Sequence, residues 1–192
     1  MAYNSPSMDR NPPSALQTLA AGRHLQFVLR RGWEFVERRN ISGIVVVIGT
    51  TPHAGLVLVT QWREPVRARV VELPAGLAGD RAGAAHEDLA AAARREFLEE
   101  TGFTAAEMEP VLEGVPSPGI SSEIVTFFRA RGLARTARGG GEEGEGVRPH
   151  VVPLARLEDW LVRMQAQGCR IDPKVYAGAW LVQREKGGDV HG

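Results

Sequence analysis

Residues 93–103 read "ARREFLEETGF", and this stretch decides how the rest of the chain is interpreted. A helix would bring Glu96, Glu99 and Glu100 within one arc of about 100°. Like charges three and four residues apart on a helix repel each other, so helix formation alone does not favour this arrangement. Carboxylates grouped in this way suit a hard divalent cation such as Mg²⁺, which prefers oxygen ligands. The alternative is a solvated acidic face.

The flanks of these glutamates favour the cation. The alanine-rich pattern predicts a helix from about Glu87 to Thr101, with Gly102 as the left-handed residue that ends it. Phe97 and Leu98 lie on roughly opposite sides of that helix, which indicates packing on both sides. The expected apolar stripe beside the carboxylates consists of Ala90, Ala93 and Phe97.

Composition excludes several classes of protein. The 192 residues are 43% hydrophobic and 24% charged, which fits one globular domain or a domain with a small appendage. The formal net charge is zero, so we expect neither a nucleic-acid partner nor an anionic membrane surface. No apolar run is long enough for a membrane span. Cys169 is the only cysteine, which favours a reducing cytoplasm, and the scattered histidines predict no zinc site.

The order of the predicted elements indicates an α/β fold with a mixed sheet between helices. Residues 1–22 read as a flexible arm. The residues Arg31-Gly32 join two strand-like runs as a hairpin, and the unbroken run "GIVVVIG" predicts a buried strand. Further strands are expected in "GLVLVTQWR", "ARVVELPAG", "FTAAEMEPVLEGV" and "EIVTFFRARGL". Two helices follow, one from about Ala155 to Gln167 and one beginning at Asp172-Pro173.

The stretch from Glu87 to Phe103 resembles the Nudix box, whose pattern is G-x5-E-x7-R-E-U-x-E-E-x-G-U with U a bulky apolar residue. The matching positions are Glu87, Arg95, Glu96, Phe97, Glu99, Glu100, Gly102 and Phe103. The opening glycine of the box corresponds to Gly76, and ten residues rather than five separate it from Glu87. We expect this insertion to lengthen the loop before the helix and to leave the metal-binding end unaffected, and it leaves the geometry of Glu87 open.

Other segments are similar to the ADP-ribose pyrophosphatase branch of that family. They are "LVTQWREPV", "VELPAGL", "SPGISSE" and "EEGEGVRPHVVPL", in that order. The resemblance implies a Nudix-type α/β/α sandwich over residues 41–192, preceded by a small N-terminal β-region at 23–40 that forms a homodimer. It also implies Mg²⁺- or Mn²⁺-dependent hydrolysis of ADP-ribose to AMP and ribose 5-phosphate. The alternatives are hydrolysis of another nucleoside diphosphate sugar and a catalytically silent nucleotide-binding module.

The resemblance assigns roles to residues of this chain. Glu96, Glu100 and the backbone carbonyl of Ala75 would bind metal, and Glu99 would bind a further metal or a metal-bound water. Arg95 would orient a carboxylate of the box. The residues implied to contact the nucleotide substrate are Trp33, Arg63, Glu72 and Pro118. Trp33 would stack on the base, or else pack in the core of the hairpin; Arg63 and Glu72 could instead face solvent.

The acidic loop "GGGEEGEGV" is the expected source of the group that deprotonates or positions the attacking water. Metal-bound carboxylates have their charge committed, so a further carboxylate is needed. Glu142, Glu143 and Glu145 are available in the loop, and the resemblance favours Glu143 or Glu145. Flanking glycines would let the loop swing over the substrate. The alternative is a solvated linker without a catalytic role.

Overall fold

The computed structural model describes residues 15–81, 83, 86–141 and 146–188. These residues fall into two compact units. One contains the chain up to Arg39 together with Val115–Glu123, and the other contains Asn40–Gly114 and the chain from Ile124 onward.

The first unit is built on a three-stranded antiparallel sheet. Its strands are β1 (Gln17–Ala21), β2 (Leu25–Arg30) and β3 (Trp33–Arg38), in that order. The turn between β2 and β3 places Arg31 at φ 51° and Gly32 at φ 79°. Positive φ at both central residues is what the tightest hairpin turn requires, and the predicted hairpin is confirmed.

The first unit differs from the sequence-based prediction in two respects. Gln17–Ala21 was expected to belong to a flexible arm but forms β1, because its backbone pairs with β2. Residues 1–14 of that arm lie outside the described part. A later segment also joins the unit. The Val36 N–H donates to the Ile120 carbonyl at 2.8 Å, and the Val36 carbonyl accepts from the Ser122 N–H at 3.2 Å. The range 23–40 was therefore too narrow.

The second unit contains two four-stranded mixed sheets. Its strands are β4 (Gly43–Gly49), β5 (Gly55–Arg63), β6 (Ala68–Glu72), β7 (Ala75–Ala78), β8 (Phe103–Gly114), β9 (Val125–Arg135), β10 (Arg148–Pro153) and β11 (Arg170–Ile171). One sheet has the order β7-β4-β9-β8 and the other β10-β5-β6-β11. The pairs β4–β9 and β6–β11 are parallel and the remaining pairs antiparallel. A mixed sheet was predicted, and the structure has two.

The helices are α1 (Leu89–Thr101), α2 (Leu157–Ala166) and α3 (Lys174–Gly188). The Asp88 side chain caps the start of α1 by accepting from the N–H groups of Ala90 and Ala91, both at 3.0 Å. Gly102, at φ 77°, ends the helix as predicted. All three predicted helices are confirmed. Among the described residues, no helix is long and apolar enough to cross a membrane.

The layers of the second unit follow from the alternation of side chains along its strands. Val46 and Ile48 of β4 join one apolar cluster, and Val45 and Val47 join another. The first cluster includes Leu157 and Leu161 of α2 and Val175, Ala179 and Val182 of α3. The second includes Ala92, Ala93 and Phe97 of α1. Helices thus cover opposite faces of the strands, and the fold is the predicted α/β/α sandwich.

Candidate active site

Helix α1 brings its glutamates together at the wall of a small cleft. The cleft has a volume of about 250 Å³. Its lining residues are Asp80, Arg81, Arg95, Glu96, Glu99, Glu100 and Gly141. The three glutamates grouped by the helix spacing therefore share one cavity with Arg95, which the resemblance had implied. That cavity is strongly polar, and acidic side chains predominate in its lining.

Strand β7 lies directly against this side of α1. The Ala75 N–H donates a hydrogen bond to Glu100 Oε2 at 3.1 Å. The resemblance had pointed to the Ala75 carbonyl as a metal ligand, and the hydrogen bond places that residue's backbone beside Glu100. A Cβ atom at Gly76 would lie 2.0 Å from Glu96 Cδ, so only glycine leaves room for the carboxylate there.

Arg95 donates hydrogen bonds to several residues around the cleft. Its Nε and Nη2 atoms pair with the two carboxylate oxygens of Glu87, each at 2.9 Å. The same guanidinium donates to the Leu77 carbonyl at 3.0 Å and to Glu96 Oε1 at 2.6 Å. The hydrogen bond from Arg95 is the main cause that lowers the pKa of Glu87. Arg95 therefore connects Glu87, just before α1, with Glu96 in the cleft.

The inserted residues before α1 behave differently from the expectation. The contacts of Glu87 answer the open question of its geometry: the Gly79 N–H donates to its Oε2 at 3.1 Å, and Arg95 pairs with both of its oxygens. The glutamates at the other end of α1 do not stay clear of the inserted residues. Arg81 Nη2 lies 2.7 Å from Glu99 Oε1 and 2.8 Å from Oε2. The expectation that the insertion would leave this end unaffected was therefore wrong.

Two of the glutamates are partly or wholly removed from water. Glu100 is 5% exposed, and burial raises its pKa to about 8. Burial also raises the pKa of Glu96, and the hydrogen bond from Arg95 opposes that change. A buried carboxylate is costly to ionise unless a cation or hydrogen bonds stabilise the charged form. The cleft thus contains carboxyl groups whose charged form the protein alone stabilises poorly.

This donor set fits a hard divalent cation, because carboxylate and carbonyl oxygens are the ligands that Mg²⁺ and Mn²⁺ take. Within the described residues, no three acidic, cysteine or histidine side chains already stand in a metal-binding arrangement. Arg95 and Arg81 instead occupy oxygens of Glu96 and Glu99. Binding a cation would therefore require these contacts to rearrange.

The predicted substrate contacts Arg63 and Glu72 form an ion pair across β5 and β6. Arg63 Nε lies 3.1 Å and 3.0 Å from the two oxygens of Glu72. Glu72 is buried rather than facing solvent, and only Arg63 is exposed. The Glu72 charge contributes to raising the pKa of Glu100, and the Arg63 charge opposes it. The pair is therefore within electrostatic reach of the cleft.

Trp33 and Pro118 belong to the first unit and both are exposed. The Trp33 side chain is 66% exposed, so it does not pack in the core of the hairpin, which was the alternative considered. Its surface is free to contact a planar ligand or another chain.

The acidic loop is described on both sides of its glutamates, while Glu142, Glu143 and Glu145 lie outside the described residues. Gly140 N–H donates to the Glu100 carbonyl at 2.8 Å, and Gly141 N–H to the Glu99 carbonyl at 3.0 Å. A Cβ at Gly139 would lie 2.4 Å from the carbonyl carbon of Thr101. The first glycines of the loop thus permit a close approach to the end of α1, which is a different role from the expected swing.

Sequence reasoning missed Asp80, Arg81 and Gly141 among the cleft residues. The pair "DR" follows β7 after one intervening glycine, and a charged pair placed there was the available signal. The signal was weak because nothing local in the sequence determines where an inserted loop returns.

Fold and cleft together define a member of the Nudix family, and comparison with known proteins agrees. The profile described as NUDIX domain matches residues 38–174, and the chain belongs to this family. It is 34% identical over 164 residues to the ADP-sugar pyrophosphatase of Mus musculus, covering 77% of this chain and 72% of that one.

Two bacterial relatives align over shorter stretches. The methanol dehydrogenase activator of Bacillus methanolicus is 35% identical over 99 residues, which is 52% of this chain and 51% of that protein. The ADP-ribose pyrophosphatase of Bacillus subtilis (strain 168) is 35% identical over 92 residues, 48% of this chain and 47% of that one. The chain thus spans about half the length of these two relatives.

A solved structure titled "Crystal structure of ADP compounds hydrolase" has the same fold. It superposes with a TM-score of 0.68 at 20% sequence identity, covering 98% of this chain and 100% of that chain.

Proposed function

We propose that this protein is a divalent-metal-dependent diphosphatase that hydrolyses ADP-ribose to AMP and ribose 5-phosphate. One observation supports the proposal most directly. A single cleft of a Nudix fold is lined by three glutamates and an arginine, which are Glu96, Glu99, Glu100 and Arg95. ADP-ribose and other ADP-sugars are the substrates in the names of two relatives, which supports this substrate class.

In the proposed reaction, water adds to one phosphorus of the diphosphate and the bridging P–O bond breaks. Glu96, Glu100 and the Ala75 carbonyl would hold Mg²⁺ or Mn²⁺, and Glu99 would hold a further ion or a metal-bound water. The metal would lower the pKa of the attacking water and stabilise charge on the phosphoryl oxygens. Arg95 keeps Glu96 in place through its fixed contacts with Glu87 and the Leu77 carbonyl.

The proton of the attacking water needs an acceptor that does not bind metal. Glu143 or Glu145 takes this role in the proposal, since each follows the glycines that attach the acidic loop to the end of α1. Gly141, one of those glycines, lines the cleft.

In the second unit, Arg63 and Glu72 are the proposed contacts to the nucleotide. In the first unit, Pro118 and Trp33 are separate proposed contacts, with Trp33 stacking on a base. We also propose a homodimer through the N-terminal β-region, because a small sheet with exposed Leu25, Phe27 and Trp33 gains stability when it is covered. Sedimentation velocity at micromolar concentration should give a dimer, and a monomer alone would remove this part of the proposal.

Stacking at Trp33 can be tested apart from catalysis. Trp33→Ala should raise KM for ADP-ribose by about 5- to 100-fold, the usual worth of one base–aromatic stack, while kcat changes less. Trp180→Ala is the matched control, because Trp180 on α3 is also exposed, at 54%. Equal effects of the two substitutions on KM would rule out specific stacking at Trp33.

The decisive experiment is a product assay over a panel of nucleoside diphosphate sugars with Mg²⁺ or Mn²⁺. The panel contains ADP-ribose, ADP-glucose, GDP-mannose and UDP-glucose, with products identified by mass spectrometry. We expect the highest kcat/KM with ADP-ribose. Faster turnover of another member would support the alternative of a sister activity. No turnover of any member would leave a silent nucleotide-binding module, the other alternative.

A further inference from the structure

A second arginine contacts the cleft from the loop that the insertion extends. This extended loop runs from residue 79 to 86, after β7 and before Glu87. Arg81, near its start, places Nη2 2.7 Å from Glu99 Oε1 and 2.8 Å from Oε2. The nearest approach of Arg95 to Glu99 is longer, 3.4 Å to Oε2. The shorter contacts to the Glu99 carboxylate therefore come from Arg81.

The two arginines of the cleft differ in their exposure to solvent. The Arg95 side chain is only 16% exposed, and the Arg81 side chain is 43% exposed. Ion pairs open to solvent contribute little free energy, because water and salt screen them. The ion pair between Arg81 and Glu99 can therefore be broken at small cost, whereas the pair between Arg95 and Glu87 is better shielded from water.

We infer that Arg81 is a positioning residue that holds the Glu99 carboxylate while the site lacks metal and competes with the divalent cation for it. The inference rests on the proposed function, in that Glu99 is taken to serve the metal. Both oxygens of Glu99 lie within hydrogen-bond distance of one guanidinium nitrogen. A cation that takes either oxygen must therefore weaken or displace that contact.

Competition of this kind has a direction that a merely structural role does not have. Removing Arg81 leaves Glu99 with the longer contact to Arg95, so the metal binds without first displacing the Arg81 guanidinium. We expect Arg81→Gln to bind Mn²⁺ about two- to fivefold more tightly than the wild type, the size set by a solvent-exposed ion pair. If Arg81 only supported the loop, its loss would loosen the site and weaken Mn²⁺ binding.

The test is a Mn²⁺ titration of the full chain without nucleotide, with free Mn²⁺ followed by electron paramagnetic resonance. Arg94→Gln is the matched control: Arg94 lies on α1 two residues before Glu96, but its guanidinium donates to the Ala105 carbonyl at 2.6 Å. Circular dichroism checks that each variant is folded. Tighter binding in Arg81→Gln with Arg94→Gln unchanged supports the inference.

Two results would overturn it. One is Mn²⁺ affinity in Arg81→Gln equal to or weaker than in the wild type. The other is an equal gain in Arg94→Gln, which would mean that only the general charge of the region matters. If Arg81→Gln does not fold, Arg81→Met carries the test, since methionine keeps an unbranched side chain but loses the charge. Tighter binding in that variant supports competition, and unchanged or weaker binding contradicts it.

Hydrolysis assays keep this inference separate from the proposed function. With ADP-ribose as substrate, the Mn²⁺ concentration for half-maximal rate should fall in Arg81→Gln by the same factor as the dissociation constant. A wild type that hydrolyses no nucleoside diphosphate sugar, together with tighter Mn²⁺ binding in Arg81→Gln, would refute the proposed activity and leave the competition intact. Active wild type with unchanged Mn²⁺ affinity in Arg81→Gln would do the reverse.

Discussion

Helix α1 buries an apolar set of side chains and a neighbouring acidic one, and burial has opposite consequences for the two. Ala92, Ala93 and Phe97 are fully buried against β-strand side chains, which stabilises the fold through the hydrophobic effect. Glu100 follows Phe97 by one turn and is nearly as buried, and the same loss of water raises its pKa to about 8. The apolar set contributes stability, whereas ionising the Glu100 carboxyl in this place costs stability. The difference teaches that burial alone does not identify a core position.

The largest expected effect is on kcat/KM, when a glutamate of the cleft is replaced. Glu96→Gln or Glu100→Gln should lower kcat/KM on the order of 10³-fold, because the charge stabilisation that a metal supplies is worth several kcal/mol. Metal affinity should fall, while the free energy of unfolding of the metal-free protein stays equal or rises, since a buried carboxyl that is costly to ionise is replaced by a neutral amide. The measurements are steady-state kinetics, Mn²⁺ titration and urea unfolding.

Glu113→Gln is the control for those variants, because Glu113 is an exposed glutamate on β8. Near-normal turnover in either cleft variant would show that the ligand assignment is wrong. A loss of folding in both would mean that the carboxylates hold the fold together, contrary to the comparison drawn above.

The next largest effect is on kcat, and it distinguishes metal binding by α1 from proton transfer by the acidic loop. Glutamine at the true base, Glu143 or Glu145, should lower kcat by about 10²–10⁴-fold, the usual worth of general acid–base catalysis. Metal affinity should be nearly unchanged, unlike in the α1 variants. Single and double substitutions are to be compared by kcat and by Mn²⁺ titration. If even the double variant slows turnover less than tenfold, the loop is only a linker.

A substitution in the apolar set of α1 should lower the free energy of unfolding and leave metal binding nearly unchanged. Phe97→Ala should lower the free energy of unfolding by about 3–5 kcal/mol, because it removes a fully buried ring and leaves a cavity. Urea unfolding gives this value, and Mn²⁺ affinity measured where the variant is folded should be close to that of the wild type. Phe97→Leu should cost less, since more of the volume remains. A large loss of metal affinity in both variants would show that metal binding by the glutamates depends on the packing of Phe97.

The smallest effect is the pH dependence of the metal-free protein. The pKa of Glu100 is raised from its usual 4.5 to about 8 in the folded state, so the folded state keeps a proton that the unfolded state has released. The stability linked to that proton is complete below pH 4.5 and is lost as the pH rises towards 8. The slope is at most about 1.4 kcal/mol per pH unit.

Urea unfolding with a chelator between pH 5 and 8 measures this slope. That window avoids Glu87, whose pKa is lowered and whose contribution is lost only in acid. Glu100→Gln should flatten the curve, because the titrating group is gone. Stability that rises with pH in the wild type, or a slope unchanged by the substitution, would contradict the assignment of burial as the dominant cause.

Local patterns predicted the helix and its site-bearing side well. The spacing of Glu96, Glu99 and Glu100 places them on one side of any helix, and Asp88 and Gly102 are residues that helix ends favour for local backbone reasons. The same holds for the hairpin at Arg31-Gly32 and for the unbroken apolar run of β4. These features depend on neighbours a few residues apart, which the chain order alone determines.

Contacts between distant segments were harder to predict. β1 was missed because its partner β2 supplies the hydrogen bonds that make it a strand. The glycines of the acidic loop were interpreted as a hinge, yet Gly139 is required by a close approach to Thr101. Burial of Glu72 in its pair with Arg63 was likewise left open, since exposure depends on what packs over a strand.

The sequence by itself determined that this protein has a carboxylate-bearing helix between strands, and the Nudix pattern with it, because helical and strand periodicities are local properties. Only the tertiary structure decided that Arg81 contacts Glu99 and that Glu87 pairs with Arg95. It also decided that Glu100 is buried. Each of these depends on segments that meet after a chain reversal, and the energy that brings them together comes from packing and charge pairing across the fold.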